Sequence, residues 1–94
     1  MRINLYVLQG RCGTDSLGTS LHLKHKDAHK AMSGEYKDFK AERDGHYEPG
    51  TSIGRYEAAI VTSGDWYEWF ITKFTLLVKN GKVSIVKKES EDKS

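Results

Sequence analysis

The chain contains a single cysteine, a single proline and no long uninterrupted run of apolar residues. One thiol cannot form an internal disulfide, and so little cysteine is typical of a reducing compartment, which predicts a cytoplasmic location. A membrane-spanning helix needs about 20 predominantly apolar residues in a row, and no segment approaches that length. The N-terminal segment mixes polar with apolar side chains and lacks the layout of a cleavable signal.

The sequence also has no strong excess of positive over negative charge, or of negative over positive. The formal net charge is +2 in 94 residues, of which 30% are charged and 37% are hydrophobic. This balance is too apolar for a disordered chain and too polar for a membrane protein. Dedicated nucleic-acid binders usually carry a larger basic excess, so the composition permits nucleic acid as a partner without indicating it. We predict one α+β domain over residues 1–88 and a disordered charged tail over residues 89–94.

The pattern of apolar residues predicts five strands. They are expected at residues 3–8, 19–23, 55–62, 66–79 and 82–88. The first is an almost continuous apolar run, typical of a central strand covered on both faces. Asn80-Gly81 favours a type I′ turn, because both residues tolerate the positive φ angles that this turn requires. The predicted order is ββαβββ, an antiparallel sheet with one helix packed on one face.

The glycine-rich segment at residues 10–18 is predicted to be a long loop between the first two strands. Its backbone N–H groups could bind a small anionic ligand, although the Gly-Lys-Ser/Thr ending of a phosphate-binding loop is absent. Cys12 lies in this segment beside Arg11. No general base can be assigned to Cys12 from its spacing to other residues, so we predict no nucleophilic role for it.

Apolar residues recur at helical spacing after Asp27, the predicted N-cap, and Asp44-Gly45 is the predicted end of the helix. A narrow apolar seam separates an acidic flank of this helix from a basic one. The seam consists of Ala28, Met32, Tyr36 and Phe39. The basic side, here called the Lys flank, consists of Lys26, Lys30, Lys37 and Lys40. Such a helix can simply be solvated, or its Lys flank can face an acidic partner.

His22, His25 and His29 are the densest group of histidines in the sequence. If the helix begins one turn early, His25 and His29 lie four residues apart on one face, a spacing that suits a metal ion. Neighbouring lysines disfavour a bound dication, and no cysteine is close in sequence. We therefore predict no metal, no cofactor and no enzymatic activity.

The register of the hairpin at Asn80-Gly81 divides the long strand into two faces. Val78 is expected opposite Val83, Leu76 opposite Ile85, and Phe74 opposite Lys87. The face predicted to form the core under the helix carries Phe70, Phe74, Leu76, Val78, Val83 and Ile85. The other face carries Tyr67 and Trp69. These two aromatic residues are either an exposed contact surface or are covered by a loop or a bend of the strand.

The segment LYVLQG at residues 5–10, the charged helix after it and the segment DWYEWFI at residues 65–71 have a recognisable layout. In this organisation the chain resembles small accessory proteins encoded by bacteriophages and prophages. The resemblance implies a non-catalytic protein that occupies a surface of a host protein, including host immune effectors. It implies no particular site residues.

The leading hypothesis is a non-catalytic protein-binding module or inhibitor that occludes a surface of a host protein, in the manner of an anti-CRISPR-like anti-defence factor. Its partner-binding residues are expected to be Lys26, Lys30, Lys37, Lys40, Tyr67 and Trp69. One alternative is a small nucleic-acid-binding domain that uses the Lys flank. A second alternative is sequestration of a small anionic ligand by the glycine-rich segment at residues 10–18.

Overall fold

A computed structural model describes residues 1–42 and 46–89 of the chain. Within these residues the chain forms one helix and an antiparallel sheet of six strands, a mixed α+β fold. In chain order the elements are β1 (Arg2–Cys12), β2 (Asp15–His22), α1 (His25–Glu42), β3 (Ser52–Ile53), β4 (Glu57–Val61), β5 (Trp66–Lys79) and β6 (Lys82–Glu89). The predicted α+β class is confirmed. The predicted order ββαβββ omitted the short strand β3.

Strand β5 organises the sheet because it pairs with three other strands. Strand β1 runs antiparallel along one edge of β5, and β2 continues the sheet beyond β1. On the other edge, β4 pairs with the first half of β5 and β6 pairs with its second half. Strand β3 lies outside β4. The prediction that residues 3–8 belong to a central strand is confirmed, since β1 lies between β2 and β5.

The hairpin between β5 and β6 follows the predicted turn. Asn80 and Gly81 have φ angles of 52° and 76°, as a type I′ turn requires. Val78 pairs with Val83 and Leu76 with Ile85, which confirms both expected pairs. The expected partner of Phe74 was wrong, because the register shifts between Thr75 and Leu76 and brings Lys88 opposite Phe74. An inserted residue in one strand has this effect.

The prediction of a long loop at residues 10–18 was wrong. Strands β1 and β2 continue into this segment until Cys12 pairs with Asp15, which leaves only Gly13 and Thr14 in the turn. Gly13 has a φ of 62°, a left-handed conformation that glycine adopts without steric cost. Gly13 therefore lies in a tight hairpin turn, and Gly10 lies where the β1–β2 register shifts.

Helix α1 begins at His25, two residues before the expected N-cap Asp27. The carbonyl oxygen of Lys24 accepts hydrogen bonds from the backbone N–H groups of Asp27 and Ala28, each at 3.2 Å. The Asp27 carboxylate therefore lies in the first turn, where the helix dipole favours a negative charge. The predicted helix end at Asp44-Gly45 lies outside the described residues.

Strand β6 ends at Glu89, one residue later than the strand predicted over residues 82–88. The Glu89 carboxylate lies 3.0 Å from the Lys87 ammonium group and 3.8 Å from that of Lys73. The hydrogen bond from Lys87, together with both positive charges, lowers the pKa of Glu89. Residues 90–94 lie outside the described residues.

The helix packs on the face of the sheet opposite to the predicted one. The buried residues are Leu8, Ala28, Met32, Tyr36, Ala58, Ile60, Trp69 and Ile71. Phe39 packs edge-on against Tyr67 and Trp69, with ring centres 5.5 and 5.4 Å apart. The helix seam was therefore predicted correctly, but the strand face under it was not. Val83 and Ile85, expected in the core, are 62% and 63% exposed.

The space available to the Trp69 side chain explains why the helix packs on this face of the sheet. Trp69 pairs with Gly10 of β1 on one side and with Ala58 of β4 on the other. A Cβ atom added to Gly10 would lie 2.8 Å from the indole ring and 3.1 Å from Leu17. Small residues on both neighbouring strands therefore leave room for the largest side chain of the core under the helix.

Two glycine-to-alanine substitutions should change stability in opposite directions. Gly81→Ala places a Cβ in the left-handed region and should cost about 1–2 kcal/mol. Gly34→Ala in α1 meets no atom within 4 Å and should stabilise the protein by about 1 kcal/mol, since alanine is the better helix former. Urea denaturation of both variants measures the two effects. Equal effects of the same sign would contradict the turn or the helix assignment.

Candidate interaction surface

The sheet has a second face, turned away from α1, which we call the open face. Directly opposed residues of antiparallel strands lie on the same face, so the pairs Ile3–Leu76, Leu5–Phe74 and Val7–Leu21 continue across the sheet. The apolar side chains in one part of this face, here called the apolar patch, are Met1, Ile3, Leu5, Val7, Leu21, Phe74, Leu76, Val78, Val83 and Ile85. Trp66 and Phe70 lie on the same face, in the first half of β5. None of them is buried.

Several members of the apolar patch are mostly in contact with solvent. Leu21 is 64% exposed and Met1 75%, in addition to Val83 and Ile85 of β6. These residues lie on both sides of the partly covered Phe74 and Leu76 of β5. Single exposed apolar residues are ordinary, but a contiguous group across several strands is typical of an interaction site.

The same face becomes polar towards the β1–β2 turn. The Arg11 guanidinium lies 5.1 Å from the centre of the Phe70 ring, and its Nε is 3.6 Å from Oε1 of Glu68. A cleft of about 240 Å³ lies here, lined by Gln9, Gly10, Arg11, Thr14, Ser16 and Phe70. Because Glu68 already balances the charge of Arg11, this cleft offers little attraction to an anion. The expected anionic-ligand site therefore has little support from the geometry.

The Lys flank lies on the opposite side of the molecule from the open face. Lys26, Lys30 and Lys37 are exposed on α1. The Lys40 ammonium group lies 5.5 Å from the ring centre of Tyr36 and 4.8 Å from that of Tyr47. These two tyrosines, Tyr36 more than Tyr47, raise the pKa of Lys40. One flat partner surface cannot contact both the Lys flank and the apolar patch, since the sheet lies between them.

Of the two alternatives predicted for Trp69, an exposed contact surface or a covered residue, the first is wrong. Its side chain is 0% exposed, and its Nε1 donates a hydrogen bond of 3.3 Å to Oε1 of Glu35. Tyr67 is half-buried, and its hydroxyl donates to Oδ2 of Asp65 at 3.4 Å. In this fold Trp69 is a core residue and cannot provide the aromatic contact that the sequence suggested.

His25 and His29 do lie four residues apart on one face of α1, but they contact backbone oxygens. Nε2 of His25 is 2.7 Å from the carbonyl oxygen of Arg55, and Nε2 of His29 is 3.0 Å from that of Gly54. Because a carbonyl oxygen only accepts, each Nε2 must carry the proton. The His25 ring also packs against Tyr56, with centres 4.6 Å apart. These contacts attach the helix to the segment that precedes β4.

Across residues 1–42 and 46–89, no three His, Cys, Asp or Glu side chains converge in a way that would hold a metal ion. Cys12 is a half-buried free thiol at the end of β1, opposite Asp15 of β2 and Tyr67 of β5.

The sequence indicated part of the apolar patch but assigned it a different role. Phe74, Leu76, Val78, Val83 and Ile85 were expected in the core, and residues 3–8 were expected to be covered on both faces. A signal for the correct role was present, because β5 is apolar on both faces while the sequence supplies one helix. One helix can cover one face of a sheet, so the other face must remain open or meet a partner.

In the part of the chain that the structure describes, no helix has the length and hydropathy needed to span a membrane. Comparisons of the chain with protein-family models, with curated proteins and with solved structures give no match.

Proposed function

We propose that this chain is a non-catalytic protein-binding module that acts by covering part of the surface of another protein chain. The apolar patch carries this proposal, because it is a contiguous hydrophobic surface that helix α1 leaves uncovered. Burial of apolar area contributes about 25 cal/mol per Å² of favourable free energy. Covering this face with a protein surface is therefore more favourable than leaving it in contact with water. An inhibitor that occludes a host protein, as the phage-like layout implies, would work in this way.

The chemistry of the patch favours protein over nucleic acid. Phosphate groups are bound by lysine and arginine, and base stacking needs exposed aromatic rings. The apolar patch has one aromatic residue, Phe74, and one adjoining cation, Lys88, whose ammonium group lies 6.0 Å from the ring centre. The other aromatic residues of the open face are Phe70 and Trp66, and the cation beside Phe70, Arg11, is paired with Glu68. The Lys flank of α1 remains the surface that a nucleic acid would use.

Substitution of Ile85 by lysine should abolish partner binding. This residue lies in the apolar patch and is 63% exposed, so a lysine there is tolerated by the monomer but disrupts an apolar contact. Ser84→Lys is the matched control, because it adds the same charge at the neighbouring exposed position on the other face of β6. A variant with Lys26, Lys30, Lys37 and Lys40 all changed to Glu tests the Lys flank.

The measurement is capture by the tagged protein, co-expressed with an untagged copy and incubated in nuclease-treated bacterial lysate. We expect the parent and Ser84→Lys to retain a protein that Ile85→Lys loses by tenfold or more, equivalent to about 1.4 kcal/mol. Circular dichroism confirms folding of each variant. Identical capture by the parent and a folded Ile85→Lys would refute a role for the apolar patch. Loss of binding only in the Lys-to-Glu variant, with nucleic acid as the bound species, would favour the nucleic-acid alternative.

A further inference from the structure

We infer that the chain also binds the phosphate backbone of nucleic acid, through a basic surface on the side of the sheet where α1 packs. This surface lies beyond the helix, where β5 continues past Ile71 towards the turn at Asn80-Gly81. The apolar patch lies on the other side of the sheet, so the inference does not rest on the proposed function.

Strand alternation places a group of cations together on this side. Every second residue of β5 from Trp69 to Lys79 lies on the helix side, and so do the residues of β1 and β6 that pair with them. The cations among these residues, here called the basic sheet face, are Arg2, Lys73, Lys79, Lys82 and Lys87. All of them are exposed except Lys73, which is half-buried.

Positive charge is concentrated on the basic sheet face. In the described part of these strands, the carboxylate that accompanies the cations is Glu89, which pairs with Lys73 and Lys87. The face therefore has an excess of four positive charges, whereas the whole chain has a net charge of +2. The rest of the molecule is net negative, so the composition understates how strongly this surface attracts a polyanion.

The arrangement of these cations lowers stability, and the fold does not explain it. Lys79 and Lys82 lie directly opposite each other beside the hairpin turn, where like charges destabilise a sheet. Lysines on an outer strand can protect its edge from another molecule, which accounts for Lys82 and Lys87. It does not account for Lys73 and Lys79, because β5 has β1 on one edge and β6 on the other. An anionic partner accounts for both pairs.

The dimensions of the face favour a phosphate backbone over a single anion. Lys73 and Lys79 are six residues apart on one strand. That separation is about 20 Å at the rise of a β-strand. Duplex DNA carries one charge per about 1.7 Å of its axis, so a face of this length meets several phosphates. The contacts are with phosphates, and binding should therefore depend little on base sequence.

The side chains between the cations also fit a phosphate backbone. Asn4, Thr75 and Ser84 lie on this side and can donate hydrogen bonds to phosphate oxygens. Tight protein interfaces are anchored by large aromatic or apolar groups, whereas Leu77, at the centre of this face, is half-buried. The Lys flank lies on the same side of the sheet, so a nucleic acid bound here can extend along α1.

Binding of a fluorescently labelled short duplex DNA of arbitrary sequence to the purified full chain tests this inference, with anisotropy measured at increasing salt. The test variant has Arg2, Lys79 and Lys82 all changed to Gln. We expect it to bind at least about tenfold more weakly than the parent at about 50 mM salt. The slope of log K against log salt should fall in magnitude by about 2–3, because each lost phosphate contact removes about 0.9. Circular dichroism establishes that each variant is folded.

Two controls separate this face from net charge and from the Lys flank. Lys82→Gln and Lys88→Gln remove the same charge from opposite sides of β6, and Lys82→Gln alone should weaken binding. It also tests the face if the triple variant proves unfolded. A further variant, with Lys26, Lys30 and Lys37 changed to Gln, removes three cations from α1. Loss of binding in this variant and in the test variant supports a contact along the whole helix side.

Four results would overturn the inference. They are a parent that does not bind DNA, a folded test variant with the affinity and salt slope of the parent, equal losses in Lys82→Gln and Lys88→Gln, and a loss confined to the α1 variant. Vesicles containing phosphatidylserine distinguish a lipid partner, because a parent that binds them and not DNA would assign the face to a membrane surface. Capture by the Ile85→Lys variant is a separate measurement, so none of these results decides the proposed function.

Discussion

Replacing Trp69 with alanine is expected to lower the free energy of unfolding by about 3–5 kcal/mol. Trp69 is among the largest fully buried side chains, and its ring packs edge-on against Tyr36 and Phe39 of the helix. Removing it would leave a cavity between the sheet and the helix and would leave Glu35 without its hydrogen bond from Nε1. Small domains have a total stability of about 5–15 kcal/mol, so this loss is a large fraction of the whole.

Urea denaturation measures this loss, and Trp66→Ala is the matched control. Trp66 is 53% exposed on the open face, and the same substitution there should cost less than about 1 kcal/mol. Trp69→Phe keeps part of the ring packing but removes Nε1, so its effect should fall between the two. If Trp66→Ala were as damaging as Trp69→Ala, the helix would not lie on the face described above.

The second large effect is expected for Gly10→Ala, which should destabilise the protein by about 1–3 kcal/mol through overpacking. The added Cβ would lie 2.8 Å from the Trp69 ring, closer than real contacts allow. Relief is difficult because Trp69 is held by the helix above it and by Ala58 beyond it. Alanine at this position has the better strand propensity, so a loss of stability would report the steric contact alone.

A double-mutant cycle separates this contact from other effects of the substitution. In the background of Trp69→Leu, which removes the ring atoms facing Gly10, Gly10→Ala should cost at least 1 kcal/mol less than in the parent. Additive effects would show that Gly10 and Trp69 do not interact. Far-ultraviolet circular dichroism establishes that each variant retains the secondary structure before its stability is compared.

Because Trp69 and Gly10 are buried, substitutions that test an interface must lie elsewhere. A substitution of Trp69 would weaken any interaction by unfolding the protein, so loss of binding would say nothing about a surface. Exposed positions such as Ile85 and Ser84 avoid this problem, because neither is part of the core under the helix.

The local elements could be predicted from the sequence where short-range chemistry determines them. Asn80-Gly81 sets the β5–β6 register because few residue pairs adopt its backbone angles. The helix seam from Ala28 to Tyr36 follows from the spacing of its apolar residues. The Gly10–Gly18 segment was misjudged because glycine favours loops in general, whereas here it serves a tight turn and close packing.

The choice of sheet face could not be read from β5 alone, since both of its faces are apolar. What decides it is the pairing with other strands, which places Gly10 and Ala58 beside Trp69. The short connection between β4 and β5 gives part of this information, because it pairs Val61 with Trp66 and thereby Ala58 with Trp69. The contribution of Gly10 depends on β1, which is far away in sequence. The apolar patch was misassigned for the same reason.

The central position of β5 has a consequence for the time course of folding. Strand β1 cannot form its pairing with β5 until β5, which lies near the other end of the chain, is available. The Met1 amino group donates a hydrogen bond to the carbonyl oxygen of Val78, 77 residues away. Proteins dominated by such non-local pairing typically fold in milliseconds to seconds, more slowly than helical bundles. During synthesis β1, β2 and α1 would emerge without the strand that completes their core. Until β5 follows, the nascent chain would expose the side chains of Leu8 and Met32 and would be a substrate for chaperones.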